Sequence, residues 1–224
     1  MKISRFYFYF LVGLLCPIIS SYKYPFLRSQ YPYDPRIHSL GNTGMGGKVH
    51  AEIAHLFTRM IDHMAYGGLD IRKSLLINID NSKSVLDLCC GTGISTSSNE
   101  ESLGIDTSCE MISKANKLYP EKNFMVEHAE SFCPMRTWDV STCFFAFHEM
   151  PPEAWMRILR NIEPLILEEI IIVDISPNYI PSNHMLMGEP YLEEYQQKIQ
   201  KYLSDFDQEV LIPNHVHIWK KTKR

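Results

Sequence analysis

Apolar and polar positions change rhythm along the chain. Between 48 and 65, Val49, Ile53, Leu56, Phe57, Met60, Ile61 and Met64 recur at helical spacing. His50, Glu52, His55, Arg59, Asp62 and His63 lie mostly off that face. The pattern predicts an amphipathic helix stopped by Gly67 and Gly68, followed by a second short helix over 70–77. From Ser84 the rhythm becomes short apolar runs, at 84–89, 102–105, 123–127, 140–147 and 168–175, which read as buried strands. Helical stretches separate several of them. One covers 108–118 and is opened by a capping box at Thr107 and Glu110. Another covers 152–162, with proline near its start. Tyr191, Tyr195, Ile199, Tyr202 and Phe206 mark a later helix, and DQEVLIPNHVHIWKK reads as two strands joined at Pro213 and Asn214. Strands that alternate with helices predict an α/β fold. It is a doubly wound, mostly parallel sheet with helices on both faces and an antiparallel C-terminal edge hairpin.

Two segments precede that fold. Lys2 and Arg5 lead into the 14-residue apolar run FYFYFLVGLLCPII, then Ser20 and Ser21. This order reads as a secretory-type signal or targeting segment over 1–21, too short for a comfortable membrane span. Tyr22 would follow the cleavage point. A signal followed by an aromatic residue resembles the bipartite plastid-targeting leaders of algae with secondary plastids. The expected destinations are the secretory route and then a plastid, or otherwise the ER lumen or the exterior. Residues 22–46 are rich in Pro, Gly and Tyr without sustained periodicity and read as an extended arm. The organisation expected is therefore a leader (1–21), an N-terminal arm with helices that forms a lid or cap (22–82), and the α/β domain (83–224).

Composition narrows the class. The chain of 224 residues has a formal net charge of −4 and 45% hydrophobic residues, ordinary for one globular domain with additions. Apart from the terminal KKTKR it has no basic block, which argues against sequence-independent nucleic-acid binding. Beyond the leader stand Cys89, Cys90, Cys109, Cys133 and Cys143, an odd set partly inside predicted strands. No CxxC and no N-x-Ser/Thr sequon occurs. These features point away from a disulfide framework and from a structural zinc site, and towards a reducing compartment such as a plastid stroma. His215 and His217 alone make no metal site, so no metal is expected.

The chemistry concentrates in VLDLCCGTGISTSSNEESLGID, residues 85–106. Gly91 and Gly93 allow a tight turn close to a ligand, and Asp106, at the end of the second strand, can accept from ribose hydroxyls. A dinucleotide fingerprint would place about 20 residues between turn and acid; here Gly91 to Asp106 spans 15. Its third glycine position holds Thr96. Asp87 precedes the loop, where an acid repels a pyrophosphate and favours an ammonium or sulfonium group. No Gly-Lys-Ser/Thr follows, so this is no P-loop.

At these residues the sequence resembles the class I S-adenosylmethionine-dependent methyltransferases, with Rossmann-like folds. VLDLCCGTG matches their first motif, with Cys89 at the usual first glycine. GIDTSCEMISKA (104–115), VEHAESF (126–132), WDVSTCFFAFHEMP (138–151) and EEIIIVDISP (168–177) match the next four in order. The resemblance implies S-adenosyl-L-methionine as cofactor and a small-molecule methyl acceptor. It implies Asp87 near the methionine amino group, directly or through water, and the backbone of Cys89, Gly91 and Gly93 along the methionine part. It implies Asp106 on the ribose, Thr107 and Met111 near adenine, and Ala129 offering its N–H to an adenine nitrogen. Phe144 and Phe145 would line the sulfonium side. Where many relatives carry an adenine-accepting Asp, this chain has His128; either Glu130 substitutes or His128 accepts through a ring nitrogen. The short crossover after Gly93 predicts a truncated first helix, with the arm covering the pocket in its place.

Methyl transfer from a sulfonium needs alignment above all, and a base only for acceptors that must lose a proton. His148 and Glu149 are the candidate catalytic pair; the alternative is that they cap backbone groups. Asp34, Arg36, His38 and Tyr191 are candidate substrate residues, with Asn42, Lys48 and His50 nearby; the alternative is an arm merely docked on the sheet. Two other functions stay open at this point: an NAD(P)-dependent oxidoreductase, and a non-catalytic relative that binds partners.

Overall fold

The computed structural model describes residues 36–223. Asp34 and the leader therefore lie outside the described residues. The parallel strands are β1 (Val85–Leu88), β2 (Leu103–Asp106), β3 (Phe124–Val126), β4 (Trp138–Phe144) and β5 (Ile166–Ile175), followed by β6 (Asp207–Ile212) and β7 (Val216–Thr222). They form one seven-stranded sheet in the order β3-β2-β1-β4-β5-β7-β6. β7 runs antiparallel to both β5 and β6, which is the predicted edge hairpin. The winding direction reverses between β1 and β4, and such reversals open a crevice at the carboxyl ends of the strands.

The helices are α1 (Gly44–Ala65), α2 (Ile71–Asn78), α3 (Cys109–Leu118), α4 (Pro152–Ile162), α5 (Asn183–Gly188) and α6 (Leu192–Tyr202). Each face of the sheet has its own core. On one face Leu86, Leu88, Cys143, Ile170, Ile172 and Trp219 meet Trp155, Ile158 and Ile162 of α4 and Tyr195 and Ile199 of α6. On the other, Val85, Val140, Phe144, Ile171, Val173, Val216 and Ile218 are covered by Ile71, Leu75, Ile79 and Tyr66. The second face is thus closed by chain that precedes β1. Among the described residues no helix is long and apolar enough to cross a membrane.

Four expectations change. No helix forms between β1 and β2; residues 89–102 cross over in turns alone. The cap of α3 is Ser108, one residue later than the predicted Thr107, and its hydroxyl accepts from Met111 N at 3.1 Å. Helix α1 begins at Gly44, inside the glycine-rich stretch that reads as arm. A Cβ at Gly46 would come within 1.9 Å of the Leu40 carbonyl oxygen, so the preceding turn lies directly on the helix and requires glycine there. Finally, Val49, Leu56 and Met64 of the predicted apolar stripe are exposed, while Gly47, Ala51 and Asp62 are buried.

Candidate cofactor and acceptor site

The loop after β1 is built from left-handed backbone. Cys89 (φ +54°), Gly91 (φ +52°) and Gly93 (φ +81°) all adopt it. Glycine does so freely, whereas Cys89 takes it at a cost of about 1–2 kcal/mol. A Cβ on Gly93 would meet the Phe124 ring at 2.5 Å, and one on Gly91 would meet nothing within 4 Å. The loop therefore packs down at Gly93 and faces open space at Gly91. Asp106 ties it in place: Gly91 N donates to its Oδ2 and Ser108 N to its Oδ1, each at 2.9 Å. Burial raises the Asp106 pKa, and the N–H groups of Ser108, Gly91 and Thr107 oppose that rise.

Asp87 lies beneath the loop, fully buried. Its Oδ2 accepts from Ser95 Oγ (2.8 Å) and Thr96 Oγ1 (2.7 Å), and its Oδ1 from Thr142 Oγ1 (3.0 Å). Burial raises its pKa against these three bonds. Thr96, standing at the third-glycine position, is thus part of the scaffold. Met111 and Ala129 are buried on the β2–β3 side, with the Ala129 carbonyl accepting from Asn161 Nδ2 at 2.9 Å. Glu130 is ion-paired with Arg157, and His128 is exposed. Phe144 points into the second core and not towards the crevice. Phe145, with φ +54°, turns out at the exit of β4, where Tyr66 lies against its ring.

Beyond Phe145 the chain gathers titratable groups. Asp174, at the end of β5, accepts from Phe147 N (2.8 Å), His148 N (3.2 Å) and Ile175 N (2.7 Å), and bonds His148 Nδ1 at 2.6 Å. Burial opposes charge on His148, but Asp174 overrides it and raises its pKa to about 10. The Asp174 carboxylate thus favours the charged imidazolium and fixes the ring in place. His38 Nε2 lies 3.2 Å from both Glu149 Oε1 and Glu189 Oε1. Burial, then the neighbouring carboxylates, raises Glu149 well above its usual range; burial raises Glu189 to about 7. Burial, His50 and His148 lower His38 to about 3. The two carboxyls, where ionised, pull His38 the other way. His50 Nδ1 bonds Asn42 Oδ1 at 2.8 Å, and the Asn42 carbonyl accepts from Ser108 Oγ. Residues 38–50 thus reach from the Asp106 side to the Glu149 side. Among the described residues no group of His, Cys, Asp or Glu is arranged to hold a metal ion.

Residues 85–167 match the model of a methyltransferase domain family. That segment, 83 of the 224 residues, is similar to methyltransferase domains. The chain is 26% identical over 121 residues to the trans-aconitate 2-methyltransferase of Azoarcus sp. (strain BH72), covering 50% of this chain and 47% of that protein. It thus spans about half the length of that curated relative. Among solved structures it resembles a DhpI complex with S-adenosylhomocysteine (TM-score 0.57, 14% identity, 78% of this chain and 92% of that one). It also resembles the magnesium protoporphyrin IX methyltransferase of Synechocystis PCC 6803 with bound S-adenosylhomocysteine (0.53, 15%, 79% and 87%). A TehB-like methyltransferase from Corynebacterium glutamicum aligns at 0.52, with 16% identity over 79% and 99%. At these identities the structures establish the shared fold.

The crevice keeps a cradle that fits a nucleoside cofactor: open space above Gly91, a fixed acid at Asp106, and a loop pinned from below. Sequence reasoning missed several of its parts. It assigned no role to Ser95, Thr142, Asp174 or Glu189. Asp174 alone had a signal, an acid inside an apolar run, which must find a partner when buried. Arg36 and Tyr191 lie within the described residues, and Tyr191 is the N-cap of α6. His38 is the predicted substrate residue that the structure brings to Glu149.

Proposed function

We propose that the protein transfers a methyl group from S-adenosyl-L-methionine to a small-molecule acceptor. The observation that carries this reading is Asp106, bridging the Gly91 and Ser108 N–H groups at the mouth of the crevice. Such a carboxylate keeps lone pairs for two ribose hydroxyls, and the 15-residue spacing suits a mononucleoside better than a dinucleotide. When bound, the cofactor supplies a methyl group on a good leaving group. Gly91, Gly93 and Asp106 would hold its nucleoside and methionine parts, Met111 and Ala129 would border adenine, and Phe145 would shield the sulfonium side from water. On the acceptor side, Glu189, raised to about 7, is the group able to take a proton near neutrality, and His148, held by Asp174, fixes the turn that presents Glu149. The relatives named for trans-aconitate and magnesium protoporphyrin IX support an acceptor of small-molecule size.

Calorimetric titration tests the reading. S-adenosylhomocysteine should bind and NAD(H) should not; the reverse result would return the chain to the oxidoreductase class. The basic and apolar start of the leader supports entry into the secretory route and onward passage to a plastid. A fluorescent protein fused behind residues 1–40 should then leave the cytosol, and a cytosolic signal would refute that targeting.

A further inference from the structure

Three segments distant in sequence bring two acids together on the acceptor side. Glu149 ends the turn after β4, Glu189 follows the last residue of α5, and His38 lies in the turn that leads into α1. A Cβ on Gly188 would touch His38 Cα at 3.7 Å, so the end of α5 lies directly on that turn. His38 Nε2 is 3.2 Å from Oε1 of both carboxyls. An imidazole nitrogen carries at most one hydrogen, so it serves one of these oxygens fully and not both. The Glu189 side chain is only 11% exposed, and its Oε2 is buried without a hydrogen-bond partner, as is His38 Nδ1. Glu189, His148, Asp174 and Asp106 act on Glu149 through their charges, and His148 and Asp174 act on Glu189. Acids thus outnumber the imidazolium, and Asp174 already holds His148 at 2.6 Å. Burying carboxyls with oxygens unmet is costly, and that cost falls when a donor of positive charge arrives.

We propose that Glu149 and Glu189 bind the methyl acceptor through an ammonium group, so that the acceptor is a small primary or secondary amine. The inference rests on the S-adenosylmethionine reading and names the acceptor class for the same crevice. Three observations carry it. The unmet Oε2 of Glu189 is an acceptor when ionised, and an ammonium supplies it with an N–H. The excess of acid favours a cation: an ammonium lets both carboxyls ionise, a hydroxyl does not, and a carboxylate adds like charge. The charge of Asp106 reaches Glu149, which sets the cluster beside the acid that would hold the ribose. An ammonium nitrogen has no lone pair and must lose a proton before it can attack. One N–H bond breaks, its electron pair stays on nitrogen as the nucleophilic lone pair, and the proton passes to Glu189 Oε2. A neutral amine and a neutral carboxyl result. Burial raises Glu189 to about 7, which suits this exchange near neutrality.

The experiment uses three probes of similar small size: ethylammonium, ethanol and acetate. Each is titrated at pH 8 and equal ionic strength into full-length protein saturated with S-adenosylhomocysteine, and its Kd is read from the rise in melting temperature. Ethylammonium should bind at least about tenfold more tightly than ethanol, the margin of one charge-assisted hydrogen bond, and acetate should bind least. Glu189→Gln should remove about tenfold of the ethylammonium affinity and leave ethanol within about twofold. Melting temperatures without probe check the folding of each variant, and Glu149→Gln carries the test if Glu189→Gln does not fold. The groups facing Glu189 are His38 from the turn before α1, His148 and Glu149 from the turn after β4, and Asp174 from β5. His38, at about 3, and His148, at about 10, titrate outside the range from pH 6 to 8. Ethylammonium should therefore weaken by up to about tenfold at pH 6, where Glu189 regains its proton, and this dependence should flatten in Glu189→Gln. Ethanol or acetate binding as tightly as ethylammonium overturns the proposal. So does ethylammonium binding that both substitutions leave unchanged, or no ethylammonium binding to a protein that holds S-adenosylhomocysteine. A protein that does not bind S-adenosylhomocysteine overturns the cofactor reading instead.

Discussion

Replacing Asp174 by asparagine should remove most of what holds the turn after β4. In the wild type this carboxylate accepts three backbone N–H groups and pairs with His148 Nδ1 at 2.6 Å, all buried. Asparagine keeps one oxygen for the N–H groups and loses the charge. Leaving one member of a buried pair uncompensated costs about 3–5 kcal/mol. His148 can relieve part of that by giving up its proton, so the lower end of the range is expected. At about 2–4 °C per kcal/mol for a domain of this size, the melting temperature should fall by roughly 6–12 °C at pH 6. The pH dependence is the sharper readout. The His148 pKa is raised from 6.5 to about 10 in the folded state. The folded protein therefore binds more protons between those values, and the stabilisation is complete below pH 6.5 and lost as pH rises through 10. The gap in unfolding free energy between wild type and variant, measured in urea, should close by about 1.4 kcal/mol per pH unit between 7.5 and 8.5. A gap that stays constant over that range would refute the pairing as its source, because a loss of backbone hydrogen bonds alone does not titrate there.

Two further substitutions probe the crevice. Gly93→Ala would place a Cβ 2.5 Å from Phe124 Cζ at φ +81°; strain and overpacking together should cost about 2–4 kcal/mol, seen by denaturant unfolding, with partial rescue by Phe124→Leu. Glu189→Gln removes a carboxyl whose pKa burial raises to about 7; the wild type should lose stability relative to this variant as pH rises from 4.5 to 7, and urea unfolding at pH 5 and pH 8 that shows no such relative loss would place Glu189 in contact with water.

The sheet was legible because its central strands β1, β4 and β5 are buried on both faces, so IIIVDI and VLDL read as unbroken apolar runs whatever packs on them. The hairpin was legible from Pro213 and Asn214. What escaped depends on contacts distant in sequence. TGMGG reads as part of an arm, yet Gly46 lies within α1, and glycine is required there because the Leu40 carbonyl leaves no room for a side chain. ISTSSNEES has the length for a short helix; instead Ser95 and Thr96 give their hydroxyls to Asp87 and the backbone stays in turns. The candidate cofactor residues stand out in the sequence because a glycine loop and an acid belong to one local unit. The acceptor side was readable only in part. FHEMP announced His148 and Glu149, but His148's charge is set by Asp174, and Glu149's neighbours His38 and Glu189 come from segments 111 residues before and 40 after it.

The turn-only crossover explains why the chain before β1 belongs to the site. A crossover helix would ordinarily cover Val85 and Val140 on the second face of the sheet and close the crevice above Asp87. Here Asp87 nucleates the crossover instead, drawing Ser95, Thr96 and Thr142 onto one carboxylate, and the apolar surface left beside it is closed by Ile71, Leu75, Ile79 and Tyr66. Burying Tyr66 sets its ring against Phe145. The turn before α1 is held by Asn42 on Ser108 and by Gly44 N on Glu110 Oε1 at 2.8 Å, and the same turn delivers His38 to Glu149. Cover for the core and the contact of His38 with Glu149 thus lie on the same segment. It follows that residues 85–167 by themselves would expose Val85, Val140 and Phe144 and would lack His38. The unit to consider for folding and for function is the described chain from the turn at His38 onward, of which the family-matched segment is only the part that reads most plainly.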